Sequence, residues 1–111
     1  YITPHIVRSI NDSTSSQIEK HVIPIARKHF DPIVEGMQMV IKEGTGRRAQ
    51  IDSITIAGKT GTVQNPHGDD HSVFIAFAPV ENPKIALIVY VENGVWGSRY
   101  AAPIAGLLIE K

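Results

Sequence analysis

The sequence predicts an α+β fold in which an antiparallel sheet is packed with helices. Its 111 residues are 42% hydrophobic and 20% charged, which is typical of one soluble globular domain or part of one, here residues 1–111. Apolar residues recur at helical spacing in one segment and at a period of two in later segments. The resulting element order is strand, helix, three strands and helix, which suits a sheet covered by helices on at least one face.

Charge and composition exclude several function classes. Eleven Lys and Arg balance eleven Asp and Glu, so there is no basic excess to neutralise a nucleic acid backbone, and we expect no nucleic acid partner. The absence of cysteine excludes a disulfide framework, a thiolate zinc site and a thiol nucleophile. The longest apolar run, residues 85–91, is seven residues long, whereas a helix that crosses a bilayer needs about 20.

The first 30 residues carry weak helical signals. Residues 1–10 have β-branched side chains around Pro4, which cannot donate to a ladder, so they suit an extended edge segment. Residues 11–17 are entirely polar and are predicted to form an exposed loop. In residues 18–30 apolar side chains recur near helical spacing, but Pro24 would break a helix interior. We therefore expect a loop there, with a short extended piece.

A helix is predicted over residues 31–43. Asp31 supplies a capping oxygen and Pro32 suits the first helical position. One face is apolar and consists of Ile33, Val34, Met37, Val40 and Ile41. Gly44 and Gly46 are able to take positive φ just beyond the last turn, so the helix should end near Glu43.

The period changes to two after the helix. Alternation from Ile54 onward predicts a strand that carries Lys-Thr-Gly-Thr, residues 59–62, near its end. Residues 63–70 form a turn-rich connection to a second strand at residues 72–78. The Pro-Val-Glu-Asn-Pro sequence at residues 79–83 has the composition of a hairpin loop.

The last two elements are the most apolar. Residues 84–92 form the third strand of this group and are almost continuously apolar, so we expect both of its faces to be covered. Residues 100–109 are predicted to form a helix with Pro103 in an early turn.

The segment at residues 56–63 places an ammonium, two hydroxyls and two glycines at the end of a strand. Alternation puts Lys59 and Gly61 on one face, with Thr60 and Thr62 on the other unless a glycine introduces a bulge. Because glycines have no side chain, a peptide substrate could add to this edge as an extra strand. Lys59 would then hold a carboxylate or assist a proton transfer, with the threonine hydroxyls on the same anion.

The triplet alone also allows a plainer interpretation, a solvated lysine beside an ordinary turn. A phosphate-binding P-loop is excluded because the upstream glycine and the strand-to-helix turn are missing. The rest of the sequence therefore has to distinguish an ordinary turn from a substrate-binding strand edge.

Several further motifs make that distinction possible. The strand motif itself is Ala-Gly-Lys-Thr-Gly-Thr-Val-Gln at residues 57–64. The other motifs are Thr-Pro-His within residues 1–7, Gly-Met-Gln-Met-Val at 36–40 and Gly-Thr-Gly at 44–46, together with the segments at residues 74–79, 85–94 and 101–103. Lys-Thr-Gly is the third signature of serine β-lactamases and penicillin-binding proteins. With these segments in order, the chain resembles the C-terminal part of the transpeptidase domain of class B penicillin-binding proteins, most of all the elongation type, penicillin-binding protein 2.

The resemblance implies a reaction and a set of site residues. In that family a serine attacks the peptide bond between two D-alanines of a peptidoglycan stem peptide, and an amine of a neighbouring strand then takes the acyl group. Lys59 would belong to the proton-transfer and carboxylate-recognition network, while Thr60 and Thr62 would bind the terminal carboxylate or that of a β-lactam. The Thr62 N–H would be an oxyanion donor, and Gly61 would leave room for substrate. No cofactor is implied.

The nucleophile is missing from this sequence. The sequence contains no Ser-x-x-Lys motif, because no serine has a lysine three positions after it. The serines are Ser9, Ser13, Ser15, Ser16, Ser53, Ser72 and Ser98. Ser9-Ile10-Asn11 matches Ser-x-Asn as text, but in the family that motif lies upstream of Thr-Pro-His, so we interpret Ser9 as ordinary loop structure. Acyl transfer cannot start without an activated nucleophile. We therefore expect a fragment that is inactive alone and carries one wall of an active site.

The resemblance also implies the setting of a longer parent protein. An N-terminal helix would anchor it in the cytoplasmic (inner) membrane, with this domain on the periplasmic side, and cell-wall synthesis proteins would be its partners. A non-catalytic β-lactam-sensing or scaffold domain of the same fold is the alternative from another class, and a β-lactamase is a more distant one.

Two other groups of residues invite a functional interpretation. Two imidazoles and two carboxylates in His67-Gly68-Asp69-Asp70-His71 could bind a divalent ion, although a polar loop beside the cleft explains them more simply, and we assign no metal. Trp96, Arg99 and Tyr100 precede the last helix, and we expect them to anchor its start.

Overall fold

The architecture is α+β, as predicted, with an antiparallel sheet packed with helices. A computed structural model describes residues 2, 9–10, 13–14 and 20–111. Short 3-10 turns at Arg27–His29 and Arg47–Ala49 flank the first helix. The strands and helices, in chain order, are β1 (Ser9–Ile10), β2 (Ser13–Thr14), α1 (Asp31–Lys42), β3 (Ala57–Val63), β4 (His71–Ala78), β5 (Ile85–Val91) and α2 (Ala101–Glu110).

The described residues of the N-terminal part agree with the extended segment expected over 1–10 but differ from the loop expected over 11–17. β1 and β2 pair as an antiparallel two-residue ladder, and Ile2 forms an isolated antiparallel bridge with Lys20. The polar segment at 11–17 thus contains a short strand, because ladder hydrogen bonds join backbone groups and need no apolar side chain. The other residues of the segments predicted over 1–10 and 11–17 lie outside the described residues. In the segment at 18–30 the described residues form a bridge, turns and one 3-10 turn, with no α-helix, as Pro24 predicted.

α1 confirms the predicted helix, with a shifted start. Phe30, not Asp31, is the N-cap residue, and its carbonyl oxygen accepts the Val34 N–H at 2.9 Å. Asp31 is the first helical residue, where its carboxylate lies at the positive end of the helix dipole without making a capping bond. Of the predicted apolar face, Ile41 is buried, Val34, Met37 and Val40 are half-buried, and Ile33 is exposed.

The glycines after α1 allow close packing and do not adopt the positive φ that was predicted for them. Neither Gly44 nor Gly46 has a positive φ. A Cβ on Gly44 would lie 2.8 Å from the Val40 Cα, and one on Gly46 would lie 2.9 Å from the Ile41 Cδ1. The chain therefore turns back so tightly against the end of α1 that a Cβ on Gly44 would clash with the helix backbone, whereas one on Gly46 would require the Ile41 side chain to move.

The sheet has the strand order β3-β4-β5 and an unbroken register. Lys59 pairs with Ile75 and Thr60 pairs with Phe74, with no bulge between Ala57 and Val63. Lys59 and Gly61 therefore share one face of the sheet, and Thr60 and Thr62 share the other, as alternation predicted. The hairpin after β4 is also confirmed, since the Lys84 N–H donates to the Ala78 carbonyl oxygen at 2.9 Å.

One face of the sheet forms the core with α2. Phe74 is fully buried and belongs to one cluster with Ile41, Val89 and three alanines of α2, which are Ala101, Ala102 and Ala105. Gly106 lets α2 approach the 3-10 turn at Arg47–Ala49, because a Cβ there would lie 3.1 Å from the Ala49 Cα. Small residues thus bring the helix close to both the sheet and the turn that follows α1.

The opposite face of the sheet is largely exposed within the described residues, although Ala57 is buried and Phe77 is half-buried at one end of it. Ile75 is 44% exposed on β4 and Ile88 is 67% exposed on β5, whereas Val89 on the core side is 8% exposed. The prediction that both faces of the last strand are covered is therefore wrong for this part of the chain, since α2 packs on the Val89 side only. Neither of the described α-helices combines the length and the apolar character that a bilayer crossing requires.

Candidate active site

Lys59 lies on the outermost strand of the described sheet. Its side chain is exposed, and its ammonium Nζ donates to the Thr60 carbonyl oxygen at 2.9 Å. The register opposite Ile75 places Lys59 on the largely exposed face of the sheet. The amine is thus available to a ligand that approaches along the free edge of β3.

The threonine hydroxyls lie on the other face of β3. Thr62 is exposed and pairs with Ser72, while Thr60 is half-buried. The Thr60 Oγ1 lies 2.7 Å from the Oγ1 of Thr45, in the loop after α1. An ammonium and two hydroxyls therefore flank the same strand edge from its two faces, and the position of one hydroxyl is fixed by a hydrogen bond.

The two glycines of β3 have different roles. A Cβ on Gly58 would lie 2.6 Å from the Phe74 Cζ and 3.0 Å from the Ile75 carbonyl oxygen, so Gly58 makes room for the buried ring. A Cβ on Gly61 would meet nothing nearer than the Val73 Cβ at 3.6 Å, which is ordinary contact. Gly61 is therefore not required by close packing in the way that Gly58 is, and its proposed role in leaving room for substrate stays a prediction.

A loop between β5 and α2 packs against the strand that carries Lys-Thr-Gly. A Cβ on Gly97 would lie 2.6 Å from the Val73 carbonyl oxygen and 2.9 Å from that of Gly61. Gly97 is therefore required for the backbone of this loop to touch β3 and β4 directly. The loop therefore packs on the face of β3 that carries the threonine hydroxyls.

Ser72 holds this loop in place. The sequence motifs considered Ser72 only as a possible nucleophile and did not predict this structural role. It is fully buried, its hydroxyl donates to the Trp96 carbonyl oxygen at 3.1 Å, and it accepts the Ala101 N–H at 3.3 Å. A serine at an inward position of an otherwise apolar strand was the signal that could have found it, because a buried hydroxyl needs partners.

A cavity of about 520 Å³ adjoins Thr45 on this side. Its lining comprises Gly44, Thr45, Arg47, Arg48, Trp96, Ser98 and Arg99. Trp96 and Arg99 were expected to anchor the start of α2, and the backbone of Trp96 does so by accepting the Tyr100 N–H at 3.3 Å. The Trp96 side chain, however, is 61% exposed and lines the cavity.

Side-chain hydrogen bonds hold the polar loop at residues 64–70 and connect this region to the turn after β5. The Asp70 carboxylate accepts the Asn65 N–H at 3.1 Å, and the His71 Nδ1 accepts the Asn93 N–H at 3.0 Å. The Asn65 amide also donates to the Asn93 side-chain oxygen at 3.1 Å. In the part of the chain that the structure describes, no three His, Asp or Glu side chains are grouped so that they could hold a metal ion.

One titratable group outside the site has a shifted pKa. The Thr55 hydroxyl donates to the Glu81 carboxylate, and this hydrogen bond lowers the pKa of Glu81 from its ordinary value of 4.5. The same hydroxyl accepts the Val80 N–H at 3.1 Å. Thr55 thereby ties the approach to β3 to the hairpin between β4 and β5.

Comparison with known proteins identifies the family. The model of the penicillin binding protein transpeptidase domain matches residues 1–110. The peptidoglycan D,D-transpeptidase PbpA of Mycobacterium tuberculosis (strain ATCC 25618 / H37Rv) is 34% identical over an alignment 122 residues long, which covers 96% of this chain and 24% of that protein. The chain spans roughly a fifth to a quarter of the length of the curated relatives it matches.

Solved structures of penicillin-binding proteins support the same family assignment. The structure of Pseudomonas aeruginosa PBP2 matches with a TM-score of 0.79 at 32% identity, over 99% of this chain and 25% of that chain. PBP2 of Helicobacter pylori, solved as a complex with MreC, matches with a TM-score of 0.69 at 27% identity, over 92% of this chain and 20% of that chain. The chain therefore belongs to the penicillin-binding protein transpeptidase domain family, and within it resembles class B members of the penicillin-binding protein 2 type.

Proposed function

We propose that residues 1–111 are the C-terminal part of the transpeptidase domain of a longer peptidoglycan D,D-transpeptidase and form one wall of its active site. The observation that carries this proposal is the outer edge of β3 in the described sheet, where the Lys59 ammonium lies on one face and the hydroxyls of Thr60 and Thr62 lie on the other. A peptide that ends in a carboxylate would add to this edge as an extra strand.

The reaction assigns a task to each group on the strand. A serine of the parent protein attacks the carbonyl carbon between two D-alanines, the peptide C–N bond breaks, and D-alanine leaves with a proton on its nitrogen. Lys59 assists proton transfer and attracts the carboxylate, while Thr60 and Thr62 donate hydroxyl hydrogen bonds to it. The Thr62 N–H stabilises the oxyanion, a contribution that is typically worth about 10²–10³ in rate. An amine of a second stem peptide then takes the acyl group.

The setting of the parent protein follows from the same proposal. It is anchored in the inner membrane with this domain on the periplasmic side, and it works with other cell-wall synthesis proteins. The Helicobacter pylori complex of PBP2 with MreC supports a partner of that kind. In a β-lactam the carboxylate takes the position of the terminal carboxylate of the peptide, and the serine then attacks the lactam carbonyl carbon as the C–N bond of the ring breaks.

Labelling with a fluorescent penicillin tests the proposal. The parent protein should be labelled, Lys59→Ala in the parent should be labelled roughly 10²-fold more slowly, and the 111-residue chain alone should stay unlabelled. Lys84→Ala is the matched control, since Lys84 is an exposed lysine in the hairpin loop after β4. Equal labelling of the Lys59 and Lys84 variants, or covalent labelling of the chain alone, would contradict the assignment.

A turnover assay separates the transpeptidase from the sensing or scaffold alternative. Both kinds of protein can be acylated by penicillin, but only the transpeptidase releases D-alanine from a stem peptide and joins two peptides. Release of D-alanine at a rate that falls in Lys59→Ala supports the enzyme, and acylation without any release of D-alanine supports the alternative.

A further inference from the structure

We propose that the arginine cavity, defined by the lining residues Gly44, Thr45, Arg47, Arg48, Trp96, Ser98 and Arg99, binds a carboxylate of the stem peptide. This inference rests on the proposed function for the identity of the peptide, and on the cavity itself for the chemistry of the group that is bound.

The charge of the arginine cavity is uncompensated by its own lining. Three arginines line this cavity of about 520 Å³, which is broadly open to solvent, and the lining includes no Asp or Glu. Arg47, Arg48 and Arg99 are all exposed to solvent, and the Arg99 guanidinium lies 5.5 Å from the centroid of the Tyr100 ring. A guanidinium presents paired N–H donors that match the two oxygens of a carboxylate, and such charge-assisted bonds are about twice as strong as neutral ones.

The backbone that carries these arginines is fixed on both sides of the cavity. Arg47 and Arg48 lie in the 3-10 turn whose third residue, Ala49, is fully buried beside Gly106 of α2. Arg99 belongs to the loop that Ser72 and the direct contact at Gly97 hold against the sheet. The two walls also meet, since the Arg48 Nη1 donates to the Arg99 carbonyl oxygen at 3.5 Å. Rigid supports of this kind reduce the entropy that ligand binding would otherwise cost.

The cavity is connected to β3 by one hydrogen bond. Thr45 lines the cavity, and its hydroxyl lies 2.7 Å from the hydroxyl of Thr60. A peptide that lies along β3 therefore passes next to the arginines on the threonine side of the strand. Trp96 adds an apolar surface, because its exposed indole can contact the methylene groups behind a carboxylate.

Two carboxylates of such a peptide could enter the cavity, the terminal one and one on an upstream side chain. The terminal carboxylate has a counterpart in penicillin, whereas the upstream one has none. The two sources are therefore separated by comparing peptides and penicillin as ligands of the same variants.

Fluorine NMR tests binding without any catalytic step. The parent protein is labelled with 5-fluorotryptophan, and the Trp96 signal is identified by its loss in Trp96→Phe. Two peptides that end in D-Ala-D-Ala are titrated, one with an upstream side-chain carboxylate and one with a carboxamide there. A saturable shift of the Trp96 signal that weakens about 10- to 100-fold in Arg47→Gln, Arg48→Gln or Arg99→Gln supports the proposal. No shift with either peptide would overturn it.

Kinetics then identify the carboxylate. If the arginine variants lose the preference for the carboxylate peptide but keep the wild-type rate of penicillin acylation, the cavity binds the upstream group. If penicillin acylation falls by a similar factor, the cavity binds the terminal group. Arg27→Gln is the matched control, because Arg27 is an exposed arginine that lines a different cavity at the start of α1.

Failure of this inference and failure of the proposed function are distinguishable. If the wild-type parent does not react with penicillin, the proposed function is wrong, and the fluorine titration still decides whether the cavity binds a carboxylate. If the wild type reacts, but the arginine variants match Arg27→Gln with every ligand, the cavity inference is overturned while the proposed function stands.

Discussion

The hydroxyl of Thr45 lies 2.7 Å from the hydroxyl of Thr60, which joins the loop after α1 to the central residue of the Lys-Thr-Gly strand. This bond orients the Thr60 hydroxyl at the edge where the proposed substrate carboxylate arrives. The loop after α1 and strand β3 thus contribute to the same proposed binding site through two side chains that are 15 residues apart.

Removing the Thr45 hydroxyl should weaken peptide binding more than it weakens folding. A neutral hydrogen bond of this kind contributes about 0.5–1.5 kcal/mol, so Thr45→Val in the parent should raise KM for a D-Ala-D-Ala peptide by roughly 2- to 12-fold. Thr45→Ser keeps the hydroxyl and should restore the wild-type KM. Equal KM values for the valine and serine variants would show that the Thr45 bond does not orient Thr60 for binding.

Ser72 should prove to be a structural residue. Ser72→Ala leaves the buried Ala101 N–H without the Ser72 acceptor and removes one of the donors to the Trp96 carbonyl oxygen, which also accepts the Tyr100 N–H. We expect the free energy of unfolding of the transpeptidase domain to fall by about 1–3 kcal/mol, measured by urea denaturation. Ser53→Ala, at an exposed turn, is the control and should change it by no more than about 0.5 kcal/mol. A Ser72→Ala variant as stable as the control would refute the role of this hydroxyl.

Two Gly→Ala changes should have opposite effects on stability. At Gly97 the new Cβ would lie 2.6 Å from the Val73 carbonyl oxygen, so Gly97→Ala should push the loop from the sheet and destabilise the domain by about 1–3 kcal/mol. Gly36 lies within α1 with nothing within 4 Å of a Cβ, so Gly36→Ala should stabilise it by about 0.5–1 kcal/mol. Thermal or urea unfolding of both variants measures the difference. A stabilising Gly97→Ala would mean that the loop does not rest on the sheet as described.

The contact between Thr55 and Glu81 should produce a pH-dependent contribution to stability. The hydrogen bond from Thr55 lowers the pKa of Glu81 in the folded state, so the contribution is present above the ordinary value of 4.5 and is lost as pH falls through the lowered pKa. NMR titration of the Glu81 carboxyl group should give a higher pKa in Thr55→Val than in the wild type. Glu81→Gln should remove the corresponding pH dependence of unfolding. Identical Glu81 titration curves in the wild type and Thr55→Val would contradict this account.

Local sequence patterns predicted the elements well where one segment determines its own structure. The 3.6-residue spacing in α1 and the alternation through Lys59 depend only on neighbours along the chain, and the structure confirms both. The face to which each residue of β3 points follows from the same alternation once no bulge intervenes. The cap was misplaced by one residue because Phe30 supplies a backbone carbonyl, which the identity of a side chain cannot reveal.

The remaining features depend on contacts between distant segments. Ser72 and Trp96 are 24 residues apart, and Arg48 and Arg99 are 51 residues apart, so no local pattern joins them. The glycines after α1 were assigned positive φ because that is their common use, whereas here the packing of the turn against the helix requires them. The exposed side of β5 was missed because an apolar run does not say which of its faces the described helices cover.

The most direct test of the central claim, that the threonine side of β3 binds the carboxylate of a substrate, is a crystal structure of the parent protein acylated by penicillin. The account predicts a penicillin carboxylate oxygen within about 3.2 Å of the hydroxyl of Thr60 or Thr62. It also predicts the acyl carbonyl oxygen at about 3 Å from the Thr62 backbone nitrogen. An acyl-enzyme whose carboxylate binds away from β3, with neither hydroxyl in contact, would contradict it.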